Sequence, residues 1–183
     1  MIRTLLRSVR AAVVFLVLCG LAYPLIEVAI AQTVFPRQAE GSLTPDGSTL
    51  VGQTWRGARW FHGRPDGDDP MATGGTNLGP RSAALVSATR RLVAYWRAEG
   101  VVPTEELVTT SGSGVDPQIS VASALAQVPM VHRATGVPAS ELRRLVALTA
   151  TGPEFGFLGE RVVDVLALNM ALARLERKAA ISR

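Results

Sequence analysis

Residues 11–30 read AAVVFLVLCGLAYPLIEVAI, an apolar run of 20 residues in which Glu27 is the only charged side chain. As an α-helix this run is about 30 Å long, which matches the hydrocarbon core of a bilayer. The run therefore predicts one N-terminal transmembrane helix, which anchors the domain formed by the residues after it. Pro24 is tolerable near the end of such a helix where neighbouring groups satisfy the freed carbonyl.

The charges on the two sides of the apolar run are unequal. Arg3, Arg7 and Arg10 precede it, whereas Arg37 is the only basic residue in the dozen that follow it. This bias predicts a cytoplasmic N-terminus and a domain outside the cytoplasm. The predicted organisation is a cytoplasmic N-terminus at 1–10, a transmembrane helix at 11–31 and an extracytoplasmic domain at 32–183.

The same segment also fits a cleaved signal peptide. An arginine-rich start is followed by an apolar run of about 13 residues and by Ala29-Ile30-Ala31, an A-x-A site before Gln32. On this reading the chain is a secreted periplasmic binding module that is released by cleavage. The local pattern leaves both readings open.

The composition excludes several functions. The net charge is +4, but without the three N-terminal arginines and Glu27 the chain from Ala31 onward has 16 basic and 14 acidic residues. Because basic and acidic residues are nearly equal in number, the domain has no basic face for nucleic acid. Cys19 is the only cysteine and lies in the apolar run, so neither a disulfide nor a cysteine-based metal site is available.

The remainder of the chain predicts a single small α+β domain that is rich in helix. Apolar residues recur at helical spacing, between capping and breaking residues, in four segments. These are 80–99, 120–135, 138–150 and 164–178. Extended structure is predicted for 49–53, 55–64, 105–110 and 155–163.

Two glycine-rich loops are the candidate functional segments, and neither has a catalytic pattern. The loop at 65–80 has three aspartates, Asp66, Asp68 and Asp69, at spacings that do not fit an EF-hand, so a solvated turn is favoured over a calcium site. The loop at 111–117 has Ser111, Ser113 and Asp116 but neither a nucleophile elbow nor a Walker lysine. Its backbone N–H groups could bind an anion, although internal turn and capping hydrogen bonds are favoured.

Four motifs in order give the chain a family resemblance. They are Tyr23-Pro24; Phe61 to Pro65 with the loop Gly74 to Pro80; Val102 to Pro117; and Leu158-Gly159-Glu160 with the run to Asn169. With them the chain resembles, from about Ser8 to Leu175, the KdpC family of the high-affinity potassium-transporting ATPase, the Kdp system.

The resemblance implies a non-catalytic accessory subunit in a bacterial inner-membrane complex. The implied partners are a channel-like potassium-translocating subunit, an ATP-hydrolysing P-type subunit and the lipid bilayer. The family is described as a catalytic chaperone that raises the ATP affinity of the hydrolysing subunit. Potassium is the ion that such a complex transports, no tightly bound cofactor is implied, and ATP is associated with this subunit through the resemblance only.

The loops and the matched motifs together supply the predicted subunit-contact or loop residues. These are Gly74, Gly75, Asn77, Ser111, Ser113, Asp116, Gln127, Glu160 and Asn169. Met130 and Thr135 stand where the family often has basic residues, so the predicted helix at 120–135 lacks two possible partners for a phosphate. The predicted topology also places the domain away from cytoplasmic ATP, so a direct nucleotide site conflicts with it.

Overall fold

The computed structural model of the chain describes residues 1–67, 69 and 71–181. Asp68, one of the three aspartates of the predicted acidic turn, lies outside the described residues. The chain divides into two compact units, residues 1–43 and 44–183, each described by itself below.

The first unit is almost entirely helical. Helix α1 spans Ile2–Val17, a π-helical turn spans Leu18–Ala22, and helix α2 spans Tyr23–Val34. A single turn of helix, α3, follows at Pro36–Ala39. The 33 residues from Ile2 to Val34 are long and apolar enough to cross a membrane, and no residue of their most apolar stretch is buried against protein. The predicted helix is therefore present, and it begins nine residues earlier than the apolar run.

The π-helical turn lies directly before Pro24. Proline has no N–H and its ring crowds the carbonyl one turn back, so it removes one helical hydrogen bond and strains the turn before it. The backbone N–H of Tyr23 donates to the carbonyl of Leu18, five residues back. The widened turn is one of the local adjustments by which membrane helices accommodate proline.

The described part of the second unit contains four helices, all at positions that the sequence predicts. They are α4 at Ala83–Ala98, α5 at Val121–Thr135, α6 at Ala139–Thr149 and α7 at Val165–Ile181. The caps explain their ends. The Ser120 side chain accepts from the Ser123 N–H, Gly136 ends α5 with a left-handed φ of 73°, and Asp164 Oδ1 accepts from the Ala167 N–H at 2.7 Å. Pro129 lies within α5.

The strands are very short. Strands β1 (Leu43–Thr44) and β2 (Gly47–Ser48) form a two-stranded sheet. Strands β3 (Gln118–Ser120), β4 (Ala150–Thr151) and β5 (Val162–Asp164) form an antiparallel sheet in the order β3-β5-β4. Ile119 faces Val163 across the central pair, and both side chains are buried.

The predicted short strands at 49–53 and 105–110 are wrong, and of the two alternatives for 55–64, a strand or an extended edge, the strand is wrong. Segments 49–53, 55–64 and 105–110 contain no strand, and 105–108 forms a turn in which the Val108 N–H donates to the Glu105 carbonyl at 3.1 Å. In the fourth segment, the bridge between Glu154 and Leu158 closes a turn, and only its end joins β5.

The core of the second unit lies between the small sheet and helices α4 to α7. Its largest fully buried side chains include Phe61, Leu107, Leu142, Leu168 and Leu172. Burial of such apolar area stabilises the domain without a disulfide.

Candidate functional site

The two predicted loops meet at the carboxylate of Asp66. Its Oδ1 accepts from the Ser111 N–H at 2.7 Å, and its Oδ2 accepts from the Ser111 hydroxyl at 2.6 Å and the Asp116 N–H at 3.0 Å. Ser111 is 7% exposed. Two of the backbone donors that could have bound an anion, those of Ser111 and Asp116, are therefore occupied by the chain's own carboxylate. We call this contact, with Gly74 and Gly75, the loop junction.

Glycines allow the backbones to approach closely at the loop junction. The Gly74 N–H donates to the Ser113 carbonyl at 2.6 Å. Gly114 has a φ of +72°, and a Cβ built there would lie 2.6 Å from the Gly74 carbonyl oxygen. A side chain at position 114 would thus both strain the backbone and push the loops apart.

The 111–117 loop is also bonded within itself, as the sequence favours. The Ser111 hydroxyl accepts from the Gly114 N–H at 2.8 Å, and the Ser113 hydroxyl accepts from the Val115 N–H at 3.2 Å. Asp116 Oδ1 accepts from the Gln118 N–H at 3.0 Å. These bonds fix the loop that leads into β3.

Gln127 and Asn169 come together at a second place, on the backbone of residues 61–62. Asn169 accepts from the Phe61 N–H at 2.9 Å and donates to the Phe61 carbonyl at 2.8 Å. Gln127 does the same for His62, at 2.8 and 3.0 Å, and also donates to the Ser123 carbonyl at 3.2 Å. Both amides are fully buried. We call this arrangement the amide clamp; it replaces the strand partner that 55–64 lacks.

A third polar group, Glu106, was not anticipated. Its carboxylate accepts from the Ser120 N–H at 2.8 Å, the Ser120 hydroxyl at 2.7 Å and the Ser123 hydroxyl. Burial raises the pKa of Glu106, but the hydrogen bonds from Ser123 and Ser120 and the charge of Arg64 outweigh it, so the pKa lies below its usual value. A negative charge at the N-terminus of α5 is also favoured by the helix dipole.

His62, whose backbone N–H donates to Gln127, is partly buried. Burial lowers its pKa, against the opposing effects of the Gly57 carbonyl and of Glu99. Its Nε2 lies 3.2 Å from the Gly57 carbonyl oxygen, and its ring packs edge-on against Trp96 with 5.5 Å between centroids. His62 is therefore a packing residue.

Not all predicted residues belong to these clusters. Gly74, Gly75, Ser111, Ser113 and Asp116 meet at the loop junction, and Gln127 and Asn169 form the amide clamp. Asn77 and Glu160 are exposed, and among the described residues no hydrogen bond joins them to either cluster. Asp66 was not predicted to join the two loops, because hydrogen-bond partners that are distant in sequence leave no local pattern.

The arrangement contains no reacting centre in the described residues. The hydrogen bonds at the loop junction and the amide clamp mostly hold backbone, so these clusters fix the loops and the segment at 61–62. Comparison with known proteins gives the family. The sequence model of the family described as "K+-transporting ATPase, c chain" matches residues 5–174.

The chain belongs to this family. It is 45% identical over 170 residues to the potassium-transporting ATPase KdpC subunit of Caulobacter vibrioides (strain NA1000 / CB15N), covering 86% of each chain. The KdpC subunit of Sorangium cellulosum is 48% identical over 179 residues, which is 88% of this chain and 94% of that one. That of Methylorubrum populi is 42% identical over 201 residues, covering 95% of this chain and 100% of that one.

These relatives are named as components of a complex and not as enzymes in their own right. The family match begins at residue 5 and so includes the N-terminal helix as well as the domain. The reading as a secreted binding module has no support in these comparisons.

Proposed function

We propose that the chain is the membrane-anchored, non-catalytic accessory subunit of a potassium-transporting P-type ATPase. Its membership of the KdpC family carries the proposal. The proposed partners are a channel-like potassium-translocating subunit and an ATP-hydrolysing subunit, in the bacterial inner membrane. Potassium is the ion that this complex would transport.

The proposed orientation places the domain outside the cytoplasm. Arg3, Arg7 and Arg10 supply the positive charge that favours a cytoplasmic N-terminus. In that orientation the domain caps the side from which potassium enters and stabilises the assembled complex. Orientation and capping together describe a subunit that acts by holding its partners.

The exposed loops are the proposed contact surface. Asn77 lies in the exposed loop beside the loop junction, and its left-handed φ of 55° fixes the backbone there. Phe155 and Phe157, at the turn that leads to Glu160, are 86% and 76% exposed. Large aromatic side chains at this exposure are common anchors at protein interfaces.

The effect on ATP affinity that the family resemblance implies is proposed to be indirect. All polar atoms of the Gln127 amide bond within the domain, so this side chain offers none to a nucleotide. The proposed orientation also separates the domain from cytoplasmic ATP. The subunit would thus change the hydrolysing partner through contact and not through a shared nucleotide.

Growth of a strain that lacks this subunit tests the proposal directly. We expect the full chain to restore growth at micromolar potassium and to elute with two larger membrane subunits in mild detergent. A chain consisting of residues 32–183 behind a cleavable signal is the matched control, and it should restore neither. A control that works as well as the full chain, or a full chain that elutes alone, would contradict the proposed function.

A further inference from the structure

Helix α1 carries its three arginines on one side. At about 100° of rotation per residue, Arg3, Arg7 and Arg10 lie within an arc of about 60°. Their side chains therefore form one row, and the first and last members are about 10 Å apart along the helix axis. We call this row the arginine row. Its three positive charges lie close together on one face, which makes that face a surface for an anion.

Large apolar side chains lie directly beside the arginine row. They occupy an arc of about 100° that begins about 40° from the arginines. These side chains are 50% to 77% exposed, and they are Ile2, Leu5, Leu6 and Val9. A phospholipid has the matching pair of features, a charged phosphate and an acyl chain. An inorganic anion or a nucleotide would use only the cationic part of this surface.

The length of the helical stretch places the arginine row at the surface of a bilayer. The 33 residues from Ile2 to Val34 extend about 50 Å, whereas the hydrocarbon core is about 30 Å thick. With residues 11–30 in the core, Arg10 and Arg7 lie within about 6 Å of its edge, at the depth of the phosphate groups. Arg3 lies about 12 Å from that edge, and its long side chain can reach back toward the same layer.

The first unit has no carboxylate close to the arginine row. Residues 1–43, all of which the structure describes, contain the acids Glu27 and Glu40. Glu27 is the nearer of the two in sequence, and it lies about 25 Å beyond Arg10 along the helix. Charges separated by much more than about 8 Å are largely screened at physiological salt. The guanidinium groups therefore require negative charge from outside this unit, and phosphate oxygens fit their fork of donors.

We propose that the arginine row binds an anionic phospholipid. The phosphate oxygens accept from the guanidinium groups, and the acyl chains lie along the apolar side chains beside them. The site rests on the proposed function only for the placement of α1 and α2 in a membrane, and it does not depend on which end faces the cytoplasm. A net negative headgroup is preferred to a zwitterionic one, because the row has no carboxylate near it to pair with an ammonium group.

Native mass spectrometry of the full chain in detergent tests the preference. The chain is incubated with equal amounts of phosphatidylglycerol and phosphatidylethanolamine, and the retained lipid is identified by its mass. The unaltered chain should retain phosphatidylglycerol in excess. The double variant Arg7→Ser with Ser8→Arg keeps composition and charge but moves the middle arginine about 100° round the helix. We expect this rearrangement to reduce the preference about five-fold.

Two further variants bracket this result. Replacing Arg3, Arg7 and Arg10 together with glutamine should reduce the preference about 100-fold. Arg37→Gln removes one charge beyond the other end of the helix, so it is the matched control and should keep the preference.

The outcomes separate the site from a general attraction of charge. A rearranged variant that keeps the full preference overturns the site, because the number of charges and not their arrangement would then retain the lipid. Release of the lipid by excess inorganic phosphate also overturns it, because the ligand would then be a soluble anion. A full chain that stays soluble and monodisperse without detergent overturns the membrane anchor in the proposed function instead.

Discussion

At the scale of single residues, the carboxylate of Asp66 joins two loops that are distant in sequence. It accepts three hydrogen bonds from two residues of the other loop, and its oxygens are largely used. We expect Asp66→Asn to lower the free energy of unfolding by about 1–3 kcal/mol, because an amide cannot accept on both ends. Urea unfolding followed by tryptophan fluorescence measures this, since all three tryptophans lie in the second unit.

Asp69→Asn is the control for this variant, because Asp69 is exposed and, among the described residues, its carboxylate accepts only from the Met71 N–H. Its unfolding should stay within about 0.5 kcal/mol of the unaltered chain. Equal loss in the two variants would show that charge in the acidic run matters and that the loop junction does not.

Asp69→Asn also tests whether the acidic run attracts potassium. An exposed carboxylate acts over only about 8 Å at physiological salt. We therefore expect the apparent potassium affinity of uptake by the complex to change less than about two-fold. The measurement is potassium uptake against external concentration; a larger loss of affinity would show that this loop attracts potassium.

Glu106 gives the domain a defined sensitivity to acid. A carboxylate whose pKa is lower in the folded than in the unfolded state stabilises the fold above its unfolded pKa, and this stabilisation is lost as the pH falls through the folded pKa. We expect Glu106→Gln to destabilise the domain at pH 7 by about 1–3 kcal/mol and to flatten the loss of stability below about pH 5. Unfolding midpoints from pH 3 to 7 measure both effects.

Glu105→Gln is the matched control for Glu106→Gln, because Glu105 is adjacent and its side chain is exposed. The control should keep the acid sensitivity of the unaltered chain. If Glu106→Gln keeps it too, the carboxylate does not hold the start of α5 as the hydrogen bonds indicate.

At the scale of elements, the amide clamp is a contact between helices and a segment with no strand. Gln127 on α5 and Asn169 on α7 satisfy both backbone polar groups of residues 61 and 62. Gln127→Ala leaves two backbone groups of His62 buried and opens a void, so we expect a loss of about 2–5 kcal/mol. Gln118→Ala, at an exposed position on β3, should cost under about 1 kcal/mol, and urea unfolding compares the two variants.

The elements also divide into those that local sequence predicts and those that it does not. Helix α5 follows from the Ser120 cap, its apolar spacing and Gly136, all of which act within a few residues. Strands β3 and β5 are three residues each and exist because Ile119 and Val163 pair across 44 positions of sequence. Segment 55–64 resembles a strand in sequence, but side-chain amides and not a neighbouring strand bond its backbone at residues 61 and 62. The alternation of apolar and polar residues cannot distinguish these two kinds of partner.

The same division holds for the candidate site. The sequence predicted that the serines and Asp116 would bond their own loop, and hydrogen bonds at 2.8–3.2 Å confirm it. The prediction that Asp66 belongs to a solvated turn was wrong. Asp66 accepts from Ser111, which lies 45 residues away in sequence, and no local pattern indicates such a partner. Contacts between residues distant in sequence become visible only when the fold brings them together.

At the scale of the whole molecule, the N-terminal helix decides whether the domain stays on the membrane. The site Ala29-Ile30-Ala31 lies inside α2, where the backbone is hydrogen-bonded as a helix and not extended for a protease. We expect the mature chain to keep its N-terminal segment. The double variant Ala29→Leu with Ala31→Leu should differ in mass only by the added side-chain atoms and should support growth at low potassium as well as the unaltered chain. Mass spectrometry of the purified subunit reads this directly; a product that begins at Gln32 and disappears in the double variant would identify a signal peptide.

The proposed orientation of this helix rests on the arginines before it. Alkaline phosphatase, which is active only outside the cytoplasm, should be active when fused to the C-terminus. Green fluorescent protein fused at the same position should stay dark. Replacing Arg3, Arg7 and Arg10 with glutamate removes the charge bias and should lower the phosphatase activity several-fold. Arg37→Glu, on the other side of the helix, is the control and should leave it unchanged. A bright fluorescent fusion on the unaltered chain would place the domain beside cytoplasmic ATP, and a direct effect on nucleotide binding would then replace the indirect one proposed for this subunit.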